Sequence, residues 1–419
     1  MSKGRNQFVD IMRGIAMLLV VLGHTMTGCT TGAENSFLFN IVWSLQMPLF
    51  ILISGYVTRY SRGIENGAGL WKYIKRRTIA YLLPWVVWSF LVRGIILGQS
   101  NFLNIQWLLW HMDSGYWFLA TIWTISLIFG ISTFLAKKIA KDSGIKQTLL
   151  TLMLYLVGMA VLAEIGFLAG LSFFAIKLTL YYMPFYFAGY LYGQFRDKIL
   201  EAKRGSTVID VIVACCVAAW LFILTRYHLY ALPDSGIAIV LRAFSSVTGC
   251  VAVCGLCKGL FTENAKNLVG GGISQLVRGT FVGDLSHTLP VTDSAEDAGI
   301  TNNRKYTGGR VDARKLSDHD STDSSCGQVG EYKQNIEIGS VWKQRVSKGF
   351  LWAGEKSLEV YMVHGLLLDV LMPEVKPNFP SIKGYGLITG NFVITIILCV
   401  VVISLISQNK VLRKLLGMK

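Results

Sequence analysis

The amino-acid sequence predicts an all-α, polytopic membrane protein of about ten transmembrane helices, with both termini in the cytoplasm. Three observations predict this class. The 419 residues are 53% hydrophobic and only 16% charged, whereas soluble domains carry roughly 25% charged residues. Apolar stretches long enough to cross a bilayer recur along the chain. Lysine and arginine are concentrated in alternate connections between those stretches.

Ten stretches have the length and apolar composition of membrane-spanning helices. They are residues 8–28, 36–58, 78–98, 116–136, 148–169, 173–194, 207–228, 236–258, 349–372 and 385–408. The N-terminal residues, the connections after the second, fourth and sixth spans, and the C-terminal tail are rich in lysine and arginine, and the other connections are nearly free of them. The positive-inside rule therefore places both termini in the cytoplasm.

The net charge of +15 follows this topology, because the basic residues lie between hydrophobic segments. It does not indicate a nucleic-acid partner. The eight cysteines show no disulfide framework. Cys250, Cys254 and Cys257 share a helix face, but no histidine or carboxylate joins them, so we predict no metal site.

Polar residues form a stripe along the first span. Asp10 lies one helical turn before Arg13, and the eleven residues from Arg13 to His24 bring the helix back to within about 20° of the same direction. A charge at the bilayer centre costs roughly 2.5–3.5 kcal/mol on insertion scales, so such residues face a protein interior or a water-filled cavity. The stripe therefore predicts a functional site on the first helix.

Two other interpretations of this span stay open at this point. Asp10 and Arg13 are near its start and would also fit an interfacial ion pair, with the arginine extending to the membrane surface. His24 is near its far end and would likewise fit a histidine at headgroup level. Lys3 and Arg5 would also fit the start of a signal peptide. The polar residues interrupt the apolar core that a signal peptide needs, and many further spans follow, which favours a retained transmembrane helix.

Residues 259–348 differ from the rest of the chain. They are rich in serine, aspartate, threonine and glycine and contain few aromatic residues. This composition predicts a largely disordered cytoplasmic insertion. It divides the chain into a membrane domain with helices one to eight (1–258), the insertion (259–348), and helices nine and ten with a cytoplasmic tail (349–419).

Three further features are candidates for binding. In the segment MPLFILISGY, Pro48 and Gly55 bracket a stretch containing Ser54, where a kink would let another backbone approach closely. A basic cluster of Lys72, Lys75, Arg76 and Arg77 precedes the third span; it suits either a topology signal or a site for an anionic donor. Tyr116 and Trp117 open the fourth span and suit either membrane-interface residues or a sugar-binding surface. His364 in the ninth span suits either a packed, hydrogen-bonded histidine or a site residue.

Five segments occur in a fixed order: RNQFVDIMRGIAMLLVVLGH, MPLFILISGY, KRRTIAYLLPW, GYWFLATI and GEKSLEVYMVHGL. Together they resemble the type 3 membrane acyltransferase family, especially its fucose O-acetylase-like branch. The resemblance implies an enzyme that transfers an acyl group from cytoplasmic acyl-CoA to a hydroxyl of a surface polysaccharide or a lipid-linked sugar. The family's essential histidine matches His24 and its helix-one arginine matches Arg13.

The family's basic motif before the third span matches Lys75, Arg76 and Arg77. Many members carry two arginines spaced R-x-x-R there, but from Arg77 that spacing falls on Ala80; only Lys72 and Lys75 keep the spacing, as lysines. The resemblance implies that this basic motif binds the CoA phosphates.

Acyl transfer to an alcohol needs a base, and histidine is suited to that role. We expect His24 to take the proton of the acceptor hydroxyl, with Asp10 and Arg13 at the cytoplasmic side of the site. We expect Tyr116, Trp117, Ser54 and His364 to contact the substrate. Acyl-CoA would be a co-substrate, and no permanently bound cofactor is expected.

Two other classes of function stay open on the sequence alone. A transporter of a glycan precursor or small solute would also place polar residues inside its spans, although we find neither an inverted repeat nor paired broken helices. A membrane sensor would use residues 259–348 as its output. The expected location in each case is the cell membrane, as a multi-pass protein.

Overall fold

The computed structural model of the protein describes residues 6–61, 63–112, 115–140, 144–201, 205–261, 347–410, 413 and 416. All of them belong to one compact unit. Helices make up nearly all of the regular structure in these ranges, and apart from a bridge between Thr31 and Asn378 no β-structure occurs in them. The predicted all-α class is therefore confirmed.

Twelve helices are labelled here in chain order within the described ranges. They are α1 Gln7–Cys29, α2 Phe37–Tyr56, α3 Gly67–Val86, α4 Ile105–Trp110, α5 Trp117–Ile139, α6 Ile145–Ala169, α7 Ile176–Glu201, α8 Gly205–Arg226, α9 Gly236–Phe261, α10 347–355, α11 Ser357–Leu371 and α12 Ile382–Gln408. A π-helix, Val87–Ile96, continues α3.

Eight helical segments of the described chain are long and apolar enough to cross a membrane: Gln7–Cys29, Phe37–Tyr60, Gly67–Ile96, Trp117–Ile139, Ile145–Ala169, Thr207–Arg226, Gly236–Cys257 and Ile382–Gln408. The other two predicted spans are helical as well. α7 has 26 residues but is rich in tyrosine, and the ninth predicted span is divided at Lys356 into α10 and α11. The polytopic membrane class is thus confirmed.

Local sequence explains where several helices begin and where α3 passes from an α-helix into a π-helix. The side chains of Asn6, Ser36 and Ser381 accept hydrogen bonds from the first turns of α1, α2 and α12, as N-cap residues do. Pro84 lies inside α3, just before the π-helix. Proline removes one backbone donor and crowds the preceding turn, which favours the wider helical register that follows.

Two glycines bring α1 and α10 into direct backbone contact. A β-carbon added to Gly14 would overlap the carbonyl group of Phe350, and one added to Gly354 would overlap the carbonyl group of Asp10. Small residues allow this close approach of helices. The contact therefore holds the start of α1 against the helix that leads into α11.

The contacts beyond this crossing show that α1 and the α10–α11 segment run parallel. The rings of His24 and His364 lie next to each other. A β-carbon on Gly28 would lie 2.7 Å from the side chain of Met372. Since each contact joins residues about 340 positions apart, the two segments keep nearly the same register along their length.

A second glycine contact joins α2 and α7. A β-carbon on Gly55 would overlap the carbonyl group of Tyr186, and one on Gly189 would overlap that of Leu52. The expectation that the segment ending in Gly55 lets another backbone approach is confirmed. The packing also buries Tyr186, which is 1% exposed, so this tyrosine of α7 does not face lipid.

Most of the predicted insertion lies outside the described residues, so its expected disorder stays a prediction. At its edges, α9 extends to Phe261 and residue 347, the first described residue after the segment, is already helical. The helices on either side therefore take a few residues at each end of the segment predicted to be an insertion.

Substitution of Gly189 by alanine should destabilise the protein, because the added methyl meets backbone rather than a movable side chain. Overpacking of this kind costs about 1–3 kcal/mol, so we expect a clear fall in the apparent Tm of the purified protein. Gly390→Ala is the matched control, since a β-carbon at Gly390 has no neighbour within 4 Å. Equal melting temperatures for the two variants would contradict the assigned contact.

Candidate functional site

Two histidines from distant parts of the sequence lie side by side in the interior. The ring centroids of His24 on α1 and His364 on α11 are 5.4 Å apart, and His364 is 3% exposed. Nδ1 of His364 lies 3.0 Å from the carbonyl oxygen of Val360. Because a carbonyl only accepts, Nδ1 carries the hydrogen and Nε2 keeps its lone pair.

Side chains of α2 and α11 surround the histidine pair. The Trp43 ring meets His24 edge-on at 6.4 Å between centroids, and the Tyr361 ring lies 5.8 Å from that of His364. The amide of Gln46 packs against Gly23, and its Oε1 atom is buried without a hydrogen-bond partner among the described residues. The first-span histidine therefore packs against protein, as the polar stripe predicts.

Tyr116 and Trp117, which we predict to contact the substrate, pack against different helices. The hydroxyl of Tyr116 donates to the carbonyl oxygen of Met362 at 3.1 Å, and its ring lies 6.0 Å from that of Tyr361. Tyr116 thus joins the start of α5 to the helix that carries His364. The Trp117 ring instead stacks on Tyr182 of α7, with centroids 5.8 Å apart.

Arg93 on the π-helix reaches the same helix as His364. It donates to Asp369 at 2.8 Å, and its guanidinium lies over the rings of Phe102 and Tyr116 at 5.2 and 5.6 Å from their centroids. A β-carbon on Gly365, the residue after His364, would lie 3.7 Å from Nη2 of Arg93. A mostly covered cation, 12% exposed, therefore stands close to the helix segment that carries His364. π-helical segments are frequent at functional sites.

Asp10 and Arg13 form an ion pair on α1, with 3.7 Å between charged atoms. Asp10 is 2% exposed. His24 is eleven positions beyond Arg13, or roughly 16 Å along the helix at its usual rise. The pair lies at the level of the Gly14–Gly354 crossing, so the structure puts it on the same helix as His24 but not within contact of it.

A cavity of about 400 Å³ opens near the ends of α2, α3, α5 and α7 that the charge pattern assigns to the cytoplasm. Among the described residues its lining contains four cations and no carboxylate; the cations are Arg59, Arg77, Lys137 and Lys198. Two of these cations pair with carboxylates outside the lining, Arg59 with Asp197 and Lys137 with Glu65. The guanidinium of Arg77 donates to the hydroxyl of Tyr81 at 3.0 Å. With this charge the cavity suits an anionic ligand.

The predicted basic motif is divided between this cavity and the surface. Arg77 lines the cavity, whereas Lys75 and Arg76 are exposed on the outer face of α3.

Ser54, also predicted to contact the substrate, donates its hydroxyl hydrogen to the carbonyl oxygen of Phe50 on its own helix, at 2.8 Å. It lies two turns beyond Gln46 along α2, away from the histidine pair.

The connection between α8 and α9, at the opposite end of the bundle, packs against Trp43, the neighbour of His24. Arg242 donates to Asp234 at 2.7 Å and to the carbonyl oxygen of Leu229 at 2.9 Å. Hydrogen bonds from Lys177 and Arg242 lower the pKa of Asp234 to about 2. These bonds hold the connection in place with the Tyr230 ring against Trp43.

Several residues around the histidines are absent from the sequence-based prediction. Arg93 lies inside the predicted third span, so the rule that selected the charges of the first span also applies to it. Glu359 lies on the same helix as His364, is 3% exposed and pairs with Lys356 at 3.3 Å. Trp43 has no comparable signal, because a tryptophan in a span is ordinary.

The fold and the histidine pair together fit a membrane enzyme. A family model described as "Acyltransferase domain" (Acyl_transf_3) matches residues 6–277, which is more than half of the chain. The protein belongs to this acyltransferase family, and the resemblance noted from its motifs is confirmed. The match ends before α10, so it does not include His364.

One curated relative is the nodulation protein NolL of Sinorhizobium fredii (strain NBRC 101917 / NGR234). It is 23% identical over 211 residues, which cover 46% of this chain and 50% of the relative. The chain therefore spans about half the length of that protein. No solved structure matches the chain.

Proposed function

We propose that this acyltransferase moves an acyl group, normally acetyl, from cytoplasmic acyl-CoA to a hydroxyl of a cell-surface polysaccharide or a lipid-linked sugar, and that it works in the cell membrane. The observation that carries the proposal is the position of His24. It lies in a membrane-embedded acyltransferase, half-buried, with the Trp43 ring at 6.4 Å and a second imidazole at 5.4 Å between ring centroids.

His24 acts as the general base in this proposal. Its imidazole takes the proton of the acceptor hydroxyl while the hydroxyl oxygen attacks the thioester carbonyl carbon. The carbon–sulfur bond then breaks, and the departing sulfur takes the proton from the imidazolium. The products are an ester of the acceptor and free CoA thiol. Base assistance of this kind contributes about 10²–10⁴-fold.

His364 binds the acceptor hydroxyl in this scheme. Its Nδ1 is committed to the carbonyl of Val360, so its Nε2 can accept a hydrogen bond from a sugar hydroxyl placed between the two rings. Tyr116 and Trp43 supply aromatic surface close by. Trp117 and Ser54, which we also expect to contact the substrate, lie further along the bundle.

The cationic cavity suits the phosphates of acyl-CoA. Arg77 lines it together with Arg59 and Lys137, and guanidinium groups pair with phosphates through two parallel hydrogen bonds. Trp43, beside His24, is sixteen residues from Arg59 along the chain, or roughly 24 Å at the helical rise. The long arm of CoA would carry the thioester over that distance. Acyl-CoA is thus a co-substrate rather than a bound cofactor.

We place Asp10 and Arg13 between the cationic cavity and the histidine pair in this scheme. They lie in the cytoplasmic half of α1, below His24, and Arg13 is the family's helix-one arginine by resemblance. We propose that Arg13 faces the donor as it passes toward His24, with Asp10 holding the guanidinium.

His24→Ala should lower the rate of acyl transfer by about 10²–10⁴-fold, since it removes the base, without changing the amount of protein in the membrane. The measurement is transfer of radiolabelled acetyl from acetyl-CoA in membranes, together with mass spectrometry of surface glycans. His228→Ala, at an exposed position in a connection, is the control. A His24→Ala protein that inserts normally and retains the wild-type rate would refute the proposal.

Arg77→Gln should raise the KM for acetyl-CoA by about tenfold or more with a smaller change in kcat, because a charged hydrogen bond worth about 1.5–3 kcal/mol is lost. Steady-state kinetics on the purified enzyme measures both. Lys138→Gln removes the same charge from an exposed neighbour of Lys137 and should leave KM unchanged. If Lys75→Gln or Arg76→Gln raises KM and Arg77→Gln does not, the donor binds at the outer face of α3 instead.

A further inference from the structure

The outer face of α3 changes character along its length. At 100° per residue, Lys72, Lys75, Arg76, Ile79, Leu83 and Val86 all fall within an arc of about 100°. Every one of them is exposed. The first three are cations and the last three are apolar, so a single helix face passes from charged to hydrophobic.

The opposite side of the same turns is committed to the protein. Tyr73 donates to the carbonyl oxygen of Ser126 at 3.0 Å, and Arg77 lines the cationic cavity. The outward direction of Lys72, Lys75 and Arg76 therefore follows from the packing of α3 against α5.

The spacing fits a layer of lipid headgroups. Lys72 and Arg76 are four residues apart, or about 6 Å along the helix, and each headgroup layer of a bilayer is roughly 5–7 Å thick. Ile79, which is 51% exposed, begins the apolar part about one turn further in. Trp71, 67% exposed, flanks the cations, and tryptophan is enriched at this boundary.

These cations have no anionic partner within the described part of the chain. No ion pair joins Lys72, Lys75 or Arg76 to a described residue, and residues 67–86 contain no aspartate or glutamate. By contrast, Lys137 nearby pairs with Glu65 at 3.9 Å. The unpaired charge is thus concentrated on the face that continues into lipid.

We propose that this face of α3 is a binding site for the headgroup of an anionic phospholipid in the cytoplasmic leaflet. The three cations contact the lipid phosphate and its neighbouring charge, while Ile79, Leu83 and Val86 lie along the acyl chains. This site is separate from the donor cavity, and the inference does not depend on the proposed reaction.

The test compares lipid retention by the full-length protein and two variants. Each protein is reconstituted in nanodiscs with equal parts of phosphatidylcholine and phosphatidylglycerol, and native mass spectrometry counts the lipids that stay bound. The site variant is K72Q/K75Q/R76Q. The matched control is K138Q/K146Q/K410Q, which removes three exposed cations from α5, α6 and the residues after α12, at the same end of the bundle.

We expect the wild type and the control to retain phosphatidylglycerol over phosphatidylcholine, and the site variant to lose that preference by about tenfold or more. The charge-preserving variant K72R/K75R/R76K should keep it, which shows that a loss is not due to misfolding. Retention should also fall with rising salt.

Three results would overturn the proposal. Equal loss in the site and control variants would mean general attraction of the basic end for anionic lipid. An unchanged preference in the site variant would mean that the face binds no headgroup. Displacement of the lipid by free acetyl-CoA or inorganic phosphate, with a raised KM for acetyl-CoA in the site variant, would assign the cations to the donor.

Discussion

The contact of Gly14 with Gly354 is the constraint on which the candidate site depends. A bilayer interior does not solvate polar side chains, so a histidine or carboxylate there needs protein around it. The backbone contact of α1 with α10 supplies that cover and also sets the register of the two segments. Each histidine stands ten residues beyond its glycine. A parallel pair in this register necessarily brings the two imidazoles to the same level.

Charge is distributed along the bundle in a way that separates two kinds of chemistry. The end assigned to the cytoplasm holds the cavity, whose described lining has four cations and no carboxylate. The level of the histidines is mainly aromatic and apolar, with Arg93 as the neighbouring cation. An anionic donor would therefore be held at one level and its reactive end used at another. The basic cluster of α3 is divided in a similar way. Arg77 faces the cavity, whereas Lys72, Lys75 and Arg76 are exposed on the outer face of the helix.

The helix α7 illustrates why hydropathy and membrane position are not the same property. Its tyrosines lower its hydropathy below that of a simple span, yet it is long enough to cross and lies against α2 through the Gly55–Gly189 contact. A helix that is covered by other helices need not be apolar on every face. The sequence predicts it as a span from its length and apolar composition, and the alternation of basic connections agrees with that assignment.

Hydrophobic length, the alternation of basic connections and the polar stripe of the first span are local properties, and the sequence alone determined them. From these it was possible to predict the all-α membrane class and to select His24 as an interior residue. The identity of its neighbour was not available in this way. Helical periodicity states which face is polar, but it does not state which helix covers that face.

Only the tertiary structure decided that His364 meets His24, that Arg93 stands beside them, and that Arg77 rather than Lys75 or Arg76 lines the cavity. The physical reason is that each of these facts depends on contact between residues far apart in the chain. Glycine crossings and the packing of α3 against α5 fix those contacts, and neither is encoded in a local pattern.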